Sequence, residues 1–258
     1  TITEEKIIVE GPEGPIEVTF TPPVKQPDGS YVVTGEIPPG VDGTVTVTVP
    51  DTSYEDESGN SGEPATGNGQ VDTDVPTATV TIQPNGDIVI KYPNDTNPDS
   101  IDTSTITFTD KDGDPVVVDL TPSTDGKTFT GKVPNGNDTD ITVSIPTGSY
   151  TDVTGNPGAQ VDVTEPVDTV APNVDIDITP NGQITLTFED DTVPSTIQTG
   201  KITVTDKSGN PIVVEFVPSQ DDPLVLVGRV PEGTETGIVV TVPAGSYQDD
   251  VGNKGTLG

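Results

Sequence analysis

A repeat of about 96 residues constrains the fold of this chain more than any other feature of its sequence. The segment at 71–76 reads Val-Asp-Thr-Asp-Val-Pro and recurs at 167–172 as Val-Asp-Thr-Val-Ala-Pro. Likewise, Gly-Ser-Tyr at 148–150 returns at 245–247. Residues before the first of these segments match only the later part of a repeat, as if its first two strands were missing. We therefore predict one partial and two whole repeats, at 1–70, 71–166 and 167–258.

Apolar residues alternate with threonine in short runs within each repeat, as at 78–82, 105–109 and 141–145. This period of two indicates half-buried β-strands. In the middle repeat the pattern predicts strands at 77–83, 88–92, 104–109, 116–121, 128–133, 141–146 and 158–163. Seven short strands separated by turn signals are typical of an immunoglobulin-like sandwich. We expect an all-β chain of tandem immunoglobulin-like β-sandwiches arranged end to end as a rod.

The composition excludes several functional classes. The chain has 43 acidic and 10 basic residues, a formal net charge of −33, and neither His nor Cys. It can form no disulfide, no His-dependent catalytic triad and no zinc site built on imidazole or thiolate. Such a polyanion repels nucleic acid, whose binding depends on Lys and Arg contacts to phosphate. No apolar run reaches the roughly 20 residues of a membrane span, so we expect no membrane insertion in this segment.

Enzymatic activity is not expected. Paired carboxylates can serve a glycosidase, but such a site also needs a cleft, usually with aromatic platforms for the sugar. The chain has no Trp, and its five Tyr and five Phe fall mostly at strand or corner positions. Among them, Tyr54, Tyr150 and Tyr247 hold the same place in the three repeats. We interpret these three as structural tyrosines that close the sandwich.

Acidic residues converge at one end of each predicted sandwich. An Asp-x-x-Gly-Asn loop follows the sixth strand in every repeat, while the linker and the loop after the second strand supply further Asp residues. With strands running up and down, these three segments meet at the end where the chain enters. Carboxylate, amide and carbonyl oxygens are the ligands that Ca²⁺ prefers. The candidate calcium ligands are Asp56, Asn60, Asp72, Asp74, Asp95, Asp152, Asn156, Asp168, Asp190, Asp191, Asp249 and Asn253.

A plainer interpretation of these loops stays open, because Asp, Asn and Gly are ordinary turn residues. A further acidic segment at 110–115, Asp-Lys-Asp-Gly-Asp-Pro, has the Asp spacing of an EF-hand loop. It has Pro115 at the sixth position and Thr121 at the twelfth, where an EF-hand has Gly and Glu. A hairpin turn is therefore favoured there. Asp112 and Asp114 remain candidates to lend oxygen ligands to a neighbouring calcium site.

The loop and linker motifs together resemble the tandem bacterial immunoglobulin-like repeats of giant, type I-secreted adhesins of Gram-negative bacteria. The resemblance rests on the repeat length, the Asp-x-x-Gly-Asn loop and the Val-Asp-Thr-x-x-Pro linker, and it covers both whole repeats and the end of the first. It implies an extracellular stalk whose joints are stiffened by calcium. It also implies that adjacent repeats are partners and that a separate terminal module binds the host-cell or abiotic surface. The two linkers differ in that the first has Asp74 at the position that Val170 occupies in the second.

Two functions from different classes remain open at this point. The first is a structural stalk with calcium as its only chemistry. The second is a binding module in which a sandwich face or end recognises a glycan or a host surface protein. Near-identical repeats favour the stalk, because a dedicated binding site should appear as an insertion in one repeat. The insertions, at 221–223 and 23–30, are small.

Overall fold

The computed structural model describes residues 1–234 and 237–258, and the described residues form an all-β chain. Its short 3-10 helices lie at Glu4–Lys6, Asp51–Ser53, Pro98–Ser100, Thr103–Thr105, Pro194–Thr196 and Thr199–Lys201. Within the described ranges, no helix has the length and apolar character needed to cross a bilayer. The all-β prediction is confirmed.

The chain divides into two compact units. The first comprises Thr1–Ala78, Tyr92–Thr105 and Ile145–Val161, and the second comprises Thr79–Lys91, Ile106–Ser144 and Asp162–Gly258. Because this division runs through the middle predicted repeat, the repeat boundaries at 71 and 167 stay a prediction.

The first unit contains a four-stranded sheet in the order β2-β1-β5-β6 and a separate two-stranded sheet, β3-β4. Val9 and Val45 are the buried hydrophobic residues of these strands. This small core agrees with a repeat that has only its later strands. The six strands are β1 (Ile8–Gly11), β2 (Gly14–Pro15), β3 (Val24–Lys25), β4 (Tyr31–Val32), β5 (Asp42–Val49) and β6 (Ala65–Asp72).

The second unit contains the strands of the two later repeats, apart from Ile145 and Val161 at the ends of two strands. Those of the middle repeat are β7 (Thr79–Ile82), β8 (Asp87–Lys91), β9 (Thr107–Asp110), β10 (Thr121–Pro122), β11 (Thr128–Lys132), β12 (Asp138–Ile145) and β13 (Val161–Asp168). Those of the third are β14 (Val174–Ile178), β15 (Gln183–Phe188), β16 (Thr203–Asp206), β17 (Val217–Pro218), β18 (Val225–Arg229) and β19 (Ile238–Thr241).

The strand order of the middle repeat is that of an immunoglobulin domain. One sheet runs β10-β11-β8-β7 and the other β13-β12-β9. With the strands lettered A to G along the chain, these are the sheets D-E-B-A and G-F-C of a constant-type immunoglobulin fold. The third repeat shows the same arrangement in β14-β15-β18-β17 and β16-β19. The immunoglobulin-like prediction therefore holds in the described residues.

The core of the third repeat shows why the alternating pattern produces this fold. Residues at every second position of β15, Ile184, Leu186 and Phe188, are buried against Val204 and Val240 from the other sheet. The threonines between them point to the opposite face, as the period of a strand requires. Alternation thus divides each strand into a core side and a polar side.

Two strands differ from their predicted positions. The pattern predicts the fourth strand at 116–121, whereas the structure has a strand there only at Thr121–Pro122, and Val117 is 77% exposed. Prolines at 115 and 122 cannot donate to a ladder and restrict this segment to a sheet edge. The seventh strand was predicted at 158–163 but runs over Val161–Asp168. As a result, Asp168 is the last residue of a strand, and Asp72 ends β6 in the same way.

Candidate metal centres

The Asp-x-x-Gly-Asn loops fold around their first residue. Oδ1 of Asp152 accepts backbone N–H groups from Thr154, Gly155 and Asn156 at 2.7 to 2.9 Å, and Oδ2 accepts Nδ2 of Asn156 at 2.7 Å. Asp249 holds its loop through the same bonds at 2.7 to 3.1 Å. The fourth residue has a φ of +100° in Gly155 and +96° in Gly252, which Gly adopts without strain. In the two whole repeats the motif therefore forms a tight loop around a buried carboxylate.

The same loop also forms at two places where the described residues contribute no acidic cluster to it. Asp56 accepts N–H groups from Ser58 and Asn60, and Asp206 does so from Ser208 and Asn210. Asp206 begins a segment that also reads Asp-x-x-Gly-Asn, but in the turn between the third and fourth strands. The motif by itself is thus a turn. What distinguishes a candidate metal centre is the set of carboxylates that neighbouring segments bring to the loop.

Two such sets are present in the described part of the chain. Asp72, Asp95 and Asp152 form the first triad, and each offers a carboxylate oxygen within 4.8 Å of the others. The second triad, Asp168, Asp191 and Asp249, meets the same description. All members of the first triad belong to the first compact unit, and all members of the second to the second unit. The predicted convergence of linker and two loops is found at both places.

Backbone pairing brings the three segments of each triad together. In the first, Thr96 forms a β-bridge with Asp152, and the N–H of Val153 donates to the carbonyl of Asp95 at 2.8 Å. In the second, Thr192 forms the equivalent bridge with Asp249. The linker aspartate is attached through the loop asparagine, since Nδ2 of Asn253 donates to the carbonyl of Asp168 at 3.0 Å. Asn156 makes the same bond to Asp72 at 3.1 Å.

The triads have no basic partner among the described residues. The ion pairs there join Lys111 to Asp112 and Lys132 to Asp87. Partial burial and the carboxylate of Asp249 raise the pKa of Asp191, and the same two causes raise that of Asp168. Burial also acts to raise the pKa of Asp152, but the hydrogen bonds from Asn156 and Thr154 outweigh it and lower the pKa. At the second triad, therefore, no basic side chain of the described residues offsets the repulsion between the carboxylates.

The chemistry of both triads fits a hard divalent cation. Each offers three carboxylates, and the carbonyl oxygen of Asp72 or Asp168 lies beside the loop asparagine. Next to each triad is a buried hydroxyl, Oγ1 of Thr96 or Thr192, for which the structure records no hydrogen-bond partner. An unpaired buried hydroxyl destabilises a fold unless another group binds it. Oxygen-only sets without rigid geometry suit Ca²⁺, with water completing six to eight ligands.

The other predicted ligands lie outside these triads. Asp56 and Asn60 are bound to each other in an exposed loop. The N–H of Asp74 donates to Oδ1 of Asp72 at 3.1 Å, while Asp190 is exposed beside Asp191. Asn156 and Asn253 turn their amide nitrogens, not their oxygens, toward the carboxylates. The metal-binding roles of these residues stay predictions.

The segment at 110–115 is a turn, as favoured. The N–H of Asp110 donates to the carbonyl of Asp114 at 3.0 Å, and Thr109 forms a bridge with Pro115. Asp112 is exposed and paired with Lys111, while the N–H of Asp114 donates to Oδ1 of Asp110 at 2.9 Å. Neither belongs to a triad, so their role as calcium ligands also stays a prediction.

The threonine that follows each linker aspartate is also hydrogen-bonded, a contact that the sequence pattern did not predict. Oγ1 of Thr169 donates to the carbonyl of Pro134 at 2.7 Å and accepts the N–H of Asn137 at 3.0 Å. Thr73 makes the same bonds to Pro38 and Val41, at 2.8 and 3.0 Å. The recurrence of Thr after Val-Asp in both linkers was the available signal. These threonines fasten the linker to the loop after the fifth strand of the preceding repeat.

Two of the three tyrosines close the sandwich of their own repeat, as predicted. Tyr150 is fully buried, and its hydroxyl donates to the carbonyl of Pro76 and accepts the N–H of Ala78, both at 2.8 Å. Tyr247 is also fully buried and donates to the carbonyl of Thr256 at 3.2 Å. Tyr54, in the partial repeat, is 37% exposed and bonds to Glu63. The sandwich-closing interpretation is confirmed for Tyr150 and Tyr247.

Comparison with known proteins assigns no family to this chain. No protein-family model and no curated protein matches it. Among solved structures, the N-terminal part of the bacterial S-layer protein SbsC is similar at 16% identity and a TM-score of 0.30, over 64% of this chain and 43% of that chain. Extracellular domains 3–5 of Drosophila OTK are similar at 11% identity and a TM-score of 0.21, over 92% and 74%. Likeness at this level supports no functional assignment.

The raised pKa values predict how one substitution changes stability with pH in metal-free buffer. Because Asp191 binds a proton more readily when folded, its stabilising contribution is present below the unfolded pKa, at about pH 4, and is lost as the pH rises through the folded pKa. Asp191→Asn is therefore expected to stabilise the metal-free chain at pH 7 and to have little effect at about pH 3.5. Urea unfolding across this range measures the difference. A difference that does not change with pH would contradict the repulsion described above.

Proposed function

We propose that this chain is a segment of the extracellular stalk of a large bacterial surface adhesin, and that Ca²⁺ bound at its two acidic triads stiffens the joints between repeats. The observation that carries the proposal is the duplicated triad. In each copy a linker aspartate, Asp72 or Asp168, meets one carboxylate from each of two loops of the following repeat. A cation there would bind the linker to that repeat.

The chemistry of such a joint follows from the residues around it. The ion would supply positive charge among carboxylates that otherwise repel one another. Asp152 and Asp249 position their loops through backbone N–H groups, and Asp95 and Asp191 add charge from the neighbouring loop. Thr73 and Thr169 hold the other side of each linker to the preceding repeat. The linker would then be attached to both neighbours at once.

The stalk function is also supported by the repetition itself. The same loop and linker contacts recur about 96 residues apart, as expected of a spacer assembled from equivalent units. Localisation outside the bacterial cell and type I secretion are part of this proposal. They rest on the resemblance of the motifs to adhesin repeats and on the absence of Cys, which suits a chain exported unfolded.

Isothermal titration of the metal-free chain with CaCl₂ tests the proposal. We expect saturation at two ions per chain, one for each triad. The double variant Asp95→Asn/Asp191→Asn should lose both, whereas the matched variant Asp99→Asn/Asp190→Asn, with substitutions outside the triads, should retain them. Absence of calcium binding by the native chain would refute the proposal, as would equal binding by the two double variants.

A further inference from the structure

Thr169, the residue after the second linker aspartate, is held entirely by the preceding repeat. It is 3% exposed, and its N–H donates to the carbonyl of Asn137 at 2.7 Å. Its carbonyl accepts the N–H of Gly136 at 3.1 Å, and its hydroxyl is bonded to the same loop at Pro134 and Asn137. Every polar group of this threonine is therefore paired, and none of these bonds needs a metal ion.

The turn at 83–86 of the preceding repeat packs against the same part of the linker. The N–H of Asp168 donates to the carbonyl of Pro84 at 2.8 Å. A Cβ placed on Gly86 would lie 2.7 Å from the methyl carbon of Thr169, so the methyl group packs directly on the glycine. Val167, the residue before the aspartate, is buried as well. The linker up to Thr169 is thus attached to the preceding repeat by packing as well as by hydrogen bonds.

The attachment of Asp168 to the following repeat is much weaker. In the described part of the chain a single hydrogen bond joins them, from Nδ2 of Asn253 to the carbonyl of Asp168. The carboxylate of Asp168 accepts the N–H of Val170 and lies beside the carboxylates of Asp191 and Asp249. Like charges in this arrangement repel one another. Without a cation, little holds the linker to the following repeat.

Val170 and Ala171 connect these two differently attached parts. The N–H of Val170 bonds locally to Asp168, and its side chain is exposed. Between the described repeats, neither residue makes a hydrogen bond to a neighbour on either side. The next attached residue is Pro172, whose carbonyl accepts the N–H of Thr256 at 3.1 Å. Exposure and a lack of hydrogen bonds are the properties of a segment that moves at low cost in free energy.

The first linker is arranged in the same way. On the preceding side, the N–H of Thr73 donates to the carbonyl of Val41 at 2.8 Å. On the following side, the carbonyl of Pro76 accepts the hydroxyl of Tyr150 at 2.8 Å. Residues 74 and 75 lie between these two attachments and are exposed.

The two linkers differ in one metal-free contact. The hydroxyl of Thr154 donates to Oδ2 of Asp72 at 3.1 Å, whereas the third repeat has Val251 at the equivalent position of its loop. Because valine has no donor, the second linker lacks this bond. The second linker is therefore the better place to test how a joint behaves without metal.

We propose that each joint, when free of calcium, bends at the two residues after the linker threonine, at 74 and 75 or at 170 and 171, while the linker up to the threonine stays with the preceding repeat. A cation at the second triad would bind across this hinge, because Asp168 precedes it and Asp191 and Asp249 follow it. The role of calcium in closing the hinge rests on the proposed function. The position of the hinge follows from the metal-free contacts alone.

Nitrogen-15 relaxation of the native 258-residue chain, in EGTA and in calcium, tests the position of the hinge. In EGTA we expect amide order parameters of about 0.85 for Gly136 and Thr169 and below about 0.6 for Val170 and Ala171. Calcium should raise the values of Val170 and Ala171 and leave those of Gly136 and Thr169 unchanged.

A substitution in the threonine seat tests the attachment to the preceding repeat. Thr169→Val keeps the shape but leaves the carbonyl of Pro134 and the N–H of Asn137 unpaired. The amide hydrogen of Gly136, which bonds to residue 169, is expected to exchange at least about tenfold faster in both buffers. Thr164→Val, at an exposed position of the same strand β13, is the matched control and should leave this rate unchanged.

Two results would overturn the proposal. One is an order parameter of Thr169 in EGTA as low as those of Val170 and Ala171, or values for those two as high as that of Thr169. The other is an unchanged exchange rate of Gly136 in Thr169→Val. A lack of calcium binding in the titration described above would refute the metal sites, whereas the measurements in EGTA would still locate the hinge.

Discussion

Calcium at about 1 mM is expected to raise the free energy of unfolding of each compact unit by about 2.7 kcal/mol, given a dissociation constant of about 10 μM at each triad. The reason is mass action, because the three carboxylates of a triad come together only in the folded chain. Both units should respond, since each contains one complete triad. Chemical unfolding in calcium and in EGTA, followed by circular dichroism, measures the effect.

The control must separate specific binding from screening, because a chain with a net charge of −33 is stabilised by added salt. Mg²⁺ at the same concentration has the same ionic strength but demands a tighter octahedron and keeps its waters. We therefore expect Mg²⁺ to stabilise the chain much less than Ca²⁺. Equal stabilisation by the two ions would show that the triads merely experience screening.

Asp95→Asn and Asp191→Asn are expected to have opposite effects in the absence and presence of calcium. In EGTA each removes one repelling carboxylate and should make its unit more stable than in the native chain. In calcium each should remove most of the gain of about 2.7 kcal/mol from its own unit and leave the other unit unchanged. Reversal of sign on adding calcium distinguishes loss of a ligand from damage to the fold.

Asp95 and Asp191 are better positions for testing calcium binding than the buried loop aspartates. Asp152 is 1% exposed and accepts several backbone N–H groups, so Asp152→Ala would leave buried donors unpaired and destabilise the chain in any buffer. Asp95 and Asp191 are exposed and contribute charge without holding a loop. Asp190→Asn, next to the second triad but outside it, is the matched control. A loss of calcium response in that control would mean that the net charge of the loop matters more than the triad.

The strand pattern could be predicted because it depends on neighbouring residues alone. Alternation of apolar with hydroxyl-bearing residues defines a buried and a more exposed face for β12 and β15 wherever these strands lie. The fourth strand was predicted wrongly for the same reason. Its valines have the composition of a strand, but the prolines at 115 and 122 and its position at a sheet edge limit the strand to two residues.

The candidate sites were predictable to the level of loops and linker but not of individual ligands. Asp-x-x-Gly-Asn occurs in the triads and also at Asp206, where it is only a turn, because the motif specifies a local hydrogen-bond pattern. Asp190 and Asp191 are adjacent in sequence, yet only Asp191 reaches the second triad. Side-chain direction at the end of a loop depends on packing across that loop, which no local pattern records.

The sequence by itself therefore determined the class of fold, the period of the repeat and the segments that bring acidic residues together, because each follows from short-range periodicity or direct recurrence. The tertiary structure alone decided which three carboxylates of each set lie within 4.8 Å of one another. It also decided that Thr73 and Thr169 hold the linkers. These features join residues that are 23 or more positions apart in the chain, and only the packing of strands and loops determines such distances.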